Sequence, residues 1–391
     1  MEIHYLDNSA TTPLCQKAKD AIIDIAQNNF GNPSSLHSIG VEAEKAVSEA
    51  RAKVLSAMGF ASAKPEQLIF TSGGTEAANL ALIGAATAKP RNKGKKIIVG
   101  EAEHDCVLKS AEYLSGLGFK VIKIPSPLGV WDMKAYERAL DRDVILVSAM
   151  LVNNETGAVN DINEIAAAAR MANPDVIVHT DAVQGFLKLA YPLSSLDADM
   201  ISVSGHKIGA PKGVGALYIN ERMLKTRSIV PIIHGGGQEK GMRSGTENVM
   251  GIAAFGAAAE DGKANLKKNL ENFSAMRSLL GAKLLGIPGV RVNVPQTKII
   301  AKHITNITVM GIRSETMLHY LSSLGVFVSS GSACSSNTGH KSQALLSFGI
   351  PEQEADFSIR ISLGVQNTTD DIEALVSALS SGIERLQRVK R

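Results

Sequence analysis

The sequence predicts an α/β fold, with a large unit built on a mainly parallel β-sheet and a smaller α+β unit towards the C-terminal end. Between about residues 66 and 220, short β-branched runs alternate with longer segments whose apolar residues recur near every 3.6 positions. After three consecutive glycines at 235–237 the pattern changes to a long helical stretch. With 391 residues, 45% hydrophobic and 20% charged, the composition is typical of an ordinary soluble globular protein with a sizeable core.

The alternating region predicts strands at 67–71, 96–99, 120–124, 144–148, 176–179, 200–204 and 214–219. Helices are predicted at 75–88, 104–118 and 163–172, between several of these strands. This succession favours a parallel sheet with helices on both faces. Ligands of such folds bind beyond the carboxyl ends of the strands, so the residues at those ends are the first candidates for a site.

The rest of the chain predicts a second, smaller unit. A helical connector is expected at 248–285, followed by strands at 304–309, 326–329 and 358–362 and helices at 314–323 and 370–388. The predicted organisation is an N-terminal arm at 1–14 that packs with the small domain and a large domain at 15–255. A connector helix and small C-terminal domain occupy 256–391.

Charge and cysteine content exclude several classes of function. The 41 basic and 38 acidic side chains leave a net charge of only +3, which gives no electrostatic basis for binding nucleic acid or a membrane surface. No apolar run reaches the roughly 18 residues of a membrane span. The three cysteines, Cys15, Cys106 and Cys334, are too far apart for a disulfide framework or a structural zinc site. We therefore expect no resident metal. The first residues lack a signal peptide pattern, and the cysteine usage suits a reducing compartment, so we expect a cytoplasmic protein.

A glycine-containing loop follows the first predicted strand. Residues 71–79 read Thr-Ser-Gly-Gly-Thr-Glu-Ala-Ala-Asn, so a strand ends where a helix begins. A helix N-terminus presents free N–H groups and the positive end of its dipole, which is the geometry that binds phosphate. A plain strand-to-helix turn with a threonine N-cap is the alternative interpretation.

Two further strands end in chemically useful side chains. Lys207 follows the strand at 200–204, and a desolvated lysine can form a Schiff base with a carbonyl compound, although most lysines are simply solvated. Asp181 ends the strand near 176–179, where a buried carboxylate needs a cation such as a pyridinium nitrogen. An N-cap role, or a metal site shared with His179, is the alternative for Asp181.

Together these three features match the requirements of pyridoxal phosphate: an anion cradle, a partner for the ring nitrogen and an amine that traps the aldehyde. The dinucleotide alternative has no support, because neither G-x-G-x-x-G nor G-x-x-x-x-G-K-[ST] occurs in the sequence.

The motifs resemble those of the cysteine desulfurases, the NifS/IscS-like members of the class V aminotransferases, which are fold type I pyridoxal-phosphate enzymes. The resemblance runs almost from end to end. It is carried by residues 5–12, 31–35, 71–79, 103–104, 153–157, 179–184, 204–207, 243–246 and 329–334.

This resemblance implies a role for each matching residue. Lys207 would bind the cofactor covalently, Asp181 would pair with the ring nitrogen, and His104 would stack on the ring and assist proton transfer. The phenolic oxygen would be bound by Gln184 and Asn154, with Asn153 as the alternative to Asn154. The phosphate would be held by Gly74, Thr75, Ser204 and His206, and by Thr246 of a neighbouring subunit, which would make the protein a homodimer.

Two more residues bear on the substrate. Arg360 matches the family's arginine for the amino-acid carboxylate, a task that suits a bidentate guanidinium; an exposed strand arginine is the alternative. Cys334 matches the nucleophile that receives sulfur, although a lone cysteine is more often a buried apolar residue. Cys106, two residues after His104, is expected to lie near the site through helix geometry and to be a packing residue. Neither Cys106 nor Cys15 has a motif. The residues 337–342 depart from the acidic-proline segment of many relatives, which leaves the sulfur acceptor open.

The implied reaction converts L-cysteine to L-alanine and leaves the sulfur on Cys334 as a persulfide. The persulfide would pass to an acceptor such as an iron–sulfur scaffold or a tRNA-thiolation protein. The alternatives are another class V enzyme, such as a selenocysteine lyase or an aminotransferase, and a non-catalytic pyridoxal-phosphate-binding assembly protein.

Overall fold

The structure is a computed structural model and describes residues 2–88, 94–330 and 341–388. In this part of the chain, the strands are β1 (His4–Tyr5), β2 (Leu68–Thr71), β3 (Lys96–Gly100), β4 (Lys120–Ile124), β5 (Val144–Ser148), β6 (Ile177–Asp181), β7 (Met200–Ser204), β8 (Gly215–Ile219), β9 (Val290–Val292), β10 (Ile304–Val309), β11 (Val326–Phe327), β12 (Ser329–Ser330) and β13 (Ser358–Ser362).

Where the sequence predicts helices at 75–88, 104–118, 163–172, 314–323 and 370–388, the structure has helices whose ends differ by at most two residues, whereas six further helices of the described residues were not predicted. In chain order, the helices are α1 (Gln16–Asn28), α2 (Ser38–Met58), α3 (Gly74–Thr87), α4 (Asp105–Gly116), α5 (Met133–Ala139), α6 (Ile162–Ala172), α7 (Glu221–Thr226), α8 (Val249–Ala264), α9 (Leu266–Leu284), α10 (Ser314–Ser323), α11 (Gln343–Phe348), α12 (Glu352–Ala355) and α13 (Thr369–Arg388). Among the described residues, none of the helices combines the length and the apolar character needed to cross a bilayer.

The large sheet has seven strands in the order β2-β8-β7-β6-β5-β3-β4. Its strands pair in parallel except at β8, which runs antiparallel to both β2 and β7. The predicted α/β class with a mainly parallel sheet is confirmed. Because β2, β6 and β7 run in the same direction, their carboxyl ends meet at one edge of the sheet.

Helices cover both faces of this sheet. Successive side chains of a strand point to opposite faces, so the apolar strands place apolar side chains on both sides. In β3, Ile98 packs into the core that contains α2 and α8, whereas Ile97 and Val99 pack into the core that contains α3 and α4. Each fully buried aliphatic side chain contributes roughly 1.5–3 kcal/mol relative to an exposed one. The strands are therefore held by two apolar layers.

The second sheet has four strands in the order β12-β13-β10-β9. It packs with α9, α10 and α13 around a separate core that also contains Leu6 of the N-terminal arm. The arm adds β1, which pairs in parallel with β11. Leu6 and this pairing fasten the arm to the second sheet.

Two predicted elements differ from the structure. The helical stretch predicted at 248–285 is divided at Asn265 into α8 and α9, and the predicted boundary at 255 lies inside α8. The single strand predicted at 326–329 is two short strands, because β11 pairs with the arm and β12 pairs with β13. Both differences depend on tertiary pairing, which local periodicity does not encode. The domain boundaries stay a prediction.

Candidate functional site

A cavity of about 410 Å³ lies at the carboxyl edge of the large sheet and reaches the second sheet. This volume is within the range of small-molecule sites. Its wall contains most of the residues that the sequence predicted as a site. They are Gly74, Thr75, His104, Asn154, Asp181, Gln184, Ser204, His206, Lys207 and Arg360.

Asp181 lies at the end of β6 and is 5% exposed. One carboxylate oxygen, Oδ1, accepts the N–H of Val183 at 2.9 Å, so the residue forms a local turn as well as facing the cavity. Burial raises the pKa of Asp181 above its usual range, whereas the charge of His104, the Val183 N–H and the charge of Lys207 oppose that shift. A buried carboxylate in this state favours a cationic or proton-donating partner.

Lys207 is half-buried in the cavity wall, so it is not a simply solvated lysine. Its Nζ donates a hydrogen bond to the backbone oxygen of Ala10 at 2.7 Å and another to that of Ser9. The N-terminal arm therefore holds the amine at the cavity. His206, beside it, has a pKa lowered to about 4 by burial and by nearby lysine charges, so it is neutral near pH 7.

The N-terminus of α3 forms another part of the wall. The helix begins at Gly74 with Gly73 as its N-cap, which rules out the predicted alternative of a threonine cap. A Cβ atom on Gly74 would lie 2.8 Å from Cγ2 of Val183, so a side chain there would close the approach to the helix end. The first N–H groups of a helix lack intrahelical acceptors, which makes this end suited to an anion.

The two adjacent asparagines have different surroundings. The side-chain Oδ1 of Asn153 accepts hydrogen bonds from Thr156 and from the N–H of Glu155, and its Nδ2 donates to the backbone oxygen of Ala102 at 3.0 Å. Asn153 is therefore occupied in a turn, whereas Asn154 lines the cavity. Of the two choices left open by the sequence, the geometry favours Asn154. Gln184 orients its amide by donating to the Ser9 oxygen at 2.9 Å.

His104 caps α4 and faces the cavity. Its Nδ1 accepts the N–H of Cys106 at 3.2 Å and lies 3.1 Å from the Cys106 Sγ. That sulfur is 4.0 Å from Oδ2 of Asp181. Burial raises the pKa of the Cys106 thiol, so it stays neutral. Cys106 was expected to be a packing residue near the site, and its buried side chain does contact two residues of the site.

Arg360 extends from β13 and is buried, which excludes the alternative of an exposed strand arginine. Its Nη2 donates to Oδ1 of Asp7 at 2.7 Å, and its Nη1 donates to the backbone oxygen of Asn154 at 3.1 Å. Asp7 belongs to the N-terminal arm. The guanidinium is therefore held between the arm and the turn that follows β5.

Glu155 adds a second carboxyl group that sequence reasoning missed. Its Oε2 accepts the hydroxyl of Ser342 at 2.6 Å, and both residues line the cavity. Burial raises the pKa of Glu155 to about 7, against the opposing effects of Ser342 and of the Arg360 charge. Asp7 and Glu155 both stand in motifs that carried the resemblance, but only the tertiary structure places them beside Arg360.

One predicted residue of the described ranges is not among the cavity residues. Thr246 is exposed and lies away from the wall of this cavity. Cys334 lies outside the described residues. His179, the alternative metal ligand, has its ring nitrogens within hydrogen-bond distance of Ser148 and Ser202, at 2.8 and 3.2 Å. In the ranges that the structure covers, no three His, Cys, Asp or Glu side chains are grouped to hold a metal ion.

The donor set of the cavity fits pyridoxal phosphate. A buried carboxylate suits the pyridine nitrogen, the glycine at the start of α3 leaves room for the phosphate, and the Lys207 amine suits the aldehyde. The amides of Gln184 and Asn154 can donate to an anionic oxygen.

Comparisons with known proteins identify the family of this chain. The family model described as Aminotransferase class-V matches residues 4–375. The cysteine desulfurase IscS of Methanosarcina thermophila is 37% identical over 386 residues, which cover 98% of this chain and 93% of that protein. A solved structure called NifS-like protein superimposes with a TM-score of 0.89 at 33% identity and covers 99% of this chain and 100% of that one. Another, described as SspA in complex with cysteine, has a TM-score of 0.78 at 31% identity, with 93% and 99% covered.

Proposed function

The chain belongs to the class V aminotransferase family, and we propose that it is a pyridoxal-phosphate-dependent cysteine desulfurase. Relatives that carry this name match it over almost their whole length, which confirms the family, the fold, the cofactor and the enzyme class expected from the sequence. They give no support to the selenocysteine lyase or aminotransferase alternative, or to a non-catalytic assembly protein. The single observation that carries the proposal is the cavity that joins Lys207, Asp181, His104 and Arg360.

When bound, pyridoxal phosphate supplies an electrophilic aldehyde and an electron-withdrawing ring. In our proposal, Lys207 is the residue to which the cofactor is attached, and its Nζ then moves the proton on the substrate Cα. Asp181 holds a proton on the ring nitrogen. Arg360 orients the substrate by its carboxylate, and His104 donates from the cavity side, because its Nδ1 already accepts a hydrogen bond.

The sulfur acceptor in this reaction is Cys334. Its thiolate attacks the substrate sulfur, so that a new S–S bond forms and the C–S bond of L-cysteine breaks. The electron pair of the broken bond stays with the substrate carbon, which takes up a proton, and the products are L-alanine and a Cys334 persulfide. Both described flanks of its segment support this proposal. Ser329, before it, pairs with Arg360 across the second sheet, and Ser342, after it, bonds Glu155 in the cavity wall.

We also propose a homodimer, in which Thr246 binds the cofactor phosphate of the partner subunit. Thr246 is exposed, as this role requires. Its loop is fixed by Arg243, whose Nε donates to Oε1 of Glu76, in the first turn of α3, at 2.9 Å. The exposed apolar side chains Phe30 and Leu36, 72% and 98% accessible, give a second subunit apolar surface to cover. Sedimentation of the wild type and of Leu36→Glu tests this: the variant should sediment as a smaller species.

The physiological partners follow from the product. A persulfide must pass to an acceptor, and we propose an iron–sulfur scaffold or a tRNA-thiolation protein in the cytoplasm. The support for a reducing compartment is that Cys15 and Cys106 are both free thiols. We propose no direct contact with nucleic acid, because the net charge of +3 offers no basic surface of the size that this needs.

The experiment that tests the activity measures L-alanine and sulfide from L-cysteine with dithiothreitol present. The wild-type holoenzyme should release both in equal amounts, and Cys334→Ala should lose most of this activity. The control is Cys15→Ala, which removes a thiol outside the cavity and should leave the rate unchanged. Alanine formed by Cys334→Ala at the wild-type rate would show that the nucleophile is wrong. No alanine from the wild type would show that the proposed activity is wrong.

A further inference from the structure

The arginine of the cavity already has an anion beside it. The Arg360 side chain is 4% exposed and that of Asp7 is 19% exposed, and Nη2 of the arginine lies 2.7 Å from Oδ1 of the aspartate. The remaining contact is neutral, because Nη1 donates to the Asn154 backbone oxygen. Nε is buried and has no hydrogen-bond partner in the part of the chain that the structure describes. Asp7 is therefore the counterion of Arg360.

The position of Asp7 is fixed by backbone contacts. Asp7 forms a parallel β-bridge with Ser362, two residues beyond the arginine on the same strand. The next two residues of the arm, Asn8 and Ser9, donate their N–H groups to the backbone oxygen and the hydroxyl of Ser362, at 3.2 and 2.8 Å. The hydroxyl of Tyr5 donates to the backbone oxygen of Asp7 at 3.1 Å. The carboxylate thus stays beside the guanidinium.

We propose that Asp7 sets the affinity of the site for the substrate carboxylate, by neutralising Arg360 in the empty site and weakening its hold on a bound carboxylate. The inference rests on the proposed function, in which Arg360 binds that group. A buried arginine without a counterion is costly, so Asp7 stabilises the empty site. Once a substrate carboxylate arrives, two anions share one guanidinium and repel each other.

The same contact acts on substrate and product. L-alanine has the same α-carboxylate as L-cysteine, so removing Asp7 should strengthen the binding of both ligands in the same proportion. The carboxylate is also unchanged in the transition state, and an interaction that is equal in substrate and transition state lowers KM without raising kcat. Asp7 therefore sets the affinity of the site and leaves kcat nearly unchanged.

The test compares the wild type with Asp7→Asn and Asp7→Ser, each as the holoenzyme; recovery of either folded variant is sufficient. Asp371→Asn is the matched control. Asp371 accepts from His4 of the same arm at 2.9 Å but does not contact Arg360, so this variant loosens the arm and leaves the arginine paired. Steady-state assays with L-cysteine should show KM about three- to tenfold lower in the Asp7 variants, with kcat changed less than about twofold. Asp371→Asn should match the wild type.

A second readout does not need turnover. The thermal midpoint of each holoenzyme is titrated with L-alanine and with L-alaninamide, which lacks the carboxylate charge. In the Asp7 variants, the L-alanine concentration that gives the same midpoint shift should fall about three- to tenfold, and the L-alaninamide concentration should not change. An unchanged or higher requirement for L-alanine, or an equal fall for both ligands, would overturn the inference. If the wild type forms no alanine from cysteine, the proposed function fails, but this titration still decides the role of Asp7.

Discussion

The cavity has two ends that are built in different ways. The end that we propose for the cofactor has Asp181 and Lys207, which stand at the carboxyl ends of neighbouring strands of one sheet. The end that we propose for the substrate has Glu155 and Arg360, with Asp7 beside the arginine, and joins the turn after β5, a strand of the second sheet and the arm. We call these two the cofactor end and the substrate end. Side chains of the cofactor end have their places set by a regular scaffold. At the substrate end each charge depends on partners that are distant in sequence.

The largest effect is expected from Lys207→Ala, at the cofactor end. We expect kcat to fall by about three to four orders of magnitude, because both the attachment point and the proton-moving amine are lost. Lys212→Ala, which removes an exposed lysine five residues later, is the control and should keep wild-type activity. Alanine release measures both. A loss of less than tenfold in Lys207→Ala would contradict the assignment.

Asp181→Asn tests the same end with a smaller change. The amide keeps the shape of the side chain but cannot hold a proton on a ring nitrogen, so kcat should fall about 100- to 1000-fold with KM little changed. Asp175→Asn, at an exposed position before the same strand, provides the control. The cofactor end would be misassigned if the two variants lost similar amounts of activity.

At the substrate end, Arg360→Lys should act mainly on KM. A lysine cannot bind a carboxylate with two parallel N–H groups, so KM for L-cysteine should rise about 10- to 100-fold and kcat should fall less than about fivefold. The control is Arg291→Lys. It changes an arginine of the outer strand β9 that is paired with Glu354, and it should have no effect on KM or kcat. If kcat rather than KM fell in Arg360→Lys, the arginine would act on the reacting atoms, and the division into two ends would not hold.

The smallest effect concerns the pH dependence of stability, which we test at His179 in strand β6 of the large sheet. Burial lowers the pKa of His179 to about 3 and that of His206 to about 4, so the unfolded chain binds more protons than the native state below pH 6.5. The contribution of these two neutral histidines to the free energy of unfolding is therefore fully present above pH 6.5 and is lost as the pH falls towards 4. In His179→Asn the slope of the unfolding free energy between about pH 4 and 6 should decrease by about 1.4 kcal/mol per pH unit. Urea unfolding at several pH values measures it; an unchanged slope would show that His179 does not remain neutral.

The same contrast explains what the sequence could predict. The strands of the large sheet, the helices α3, α4 and α6 between them, and the position of Asp181 and Lys207 at one edge were predictable, because apolar periodicity identifies these elements and parallel strand ends meet at one edge. The helices α1, α2, α5, α7, α11 and α12 and the strands β1 and β9 were not predicted. The division at Asn265 and the two short strands β11 and β12 were not predictable, since they arise from packing and pairing across the chain. Arg360 was identified by resemblance, but its counterion Asp7 lies more than 350 residues away in sequence.

Cys106 lies between these two cases. No motif includes it, but its spacing of two residues from His104 predicted a place near the site, and the structure puts it in the cavity wall. Its contact with Asp181 could not be predicted, because it arises only when α4 packs against the end of β6.

The most direct test of the account is reduction of the holoenzyme with borohydride, followed by peptide mass spectrometry. If the cofactor is attached to Lys207, this lysine should be the one tagged residue, and the tag should be lost in Lys207→Ala. Lys188 is the informative competitor, because burial lowers its pKa to about 7 and leaves a reactive amine near the site. A tag on Lys188, or on any lysine other than Lys207, would contradict the account.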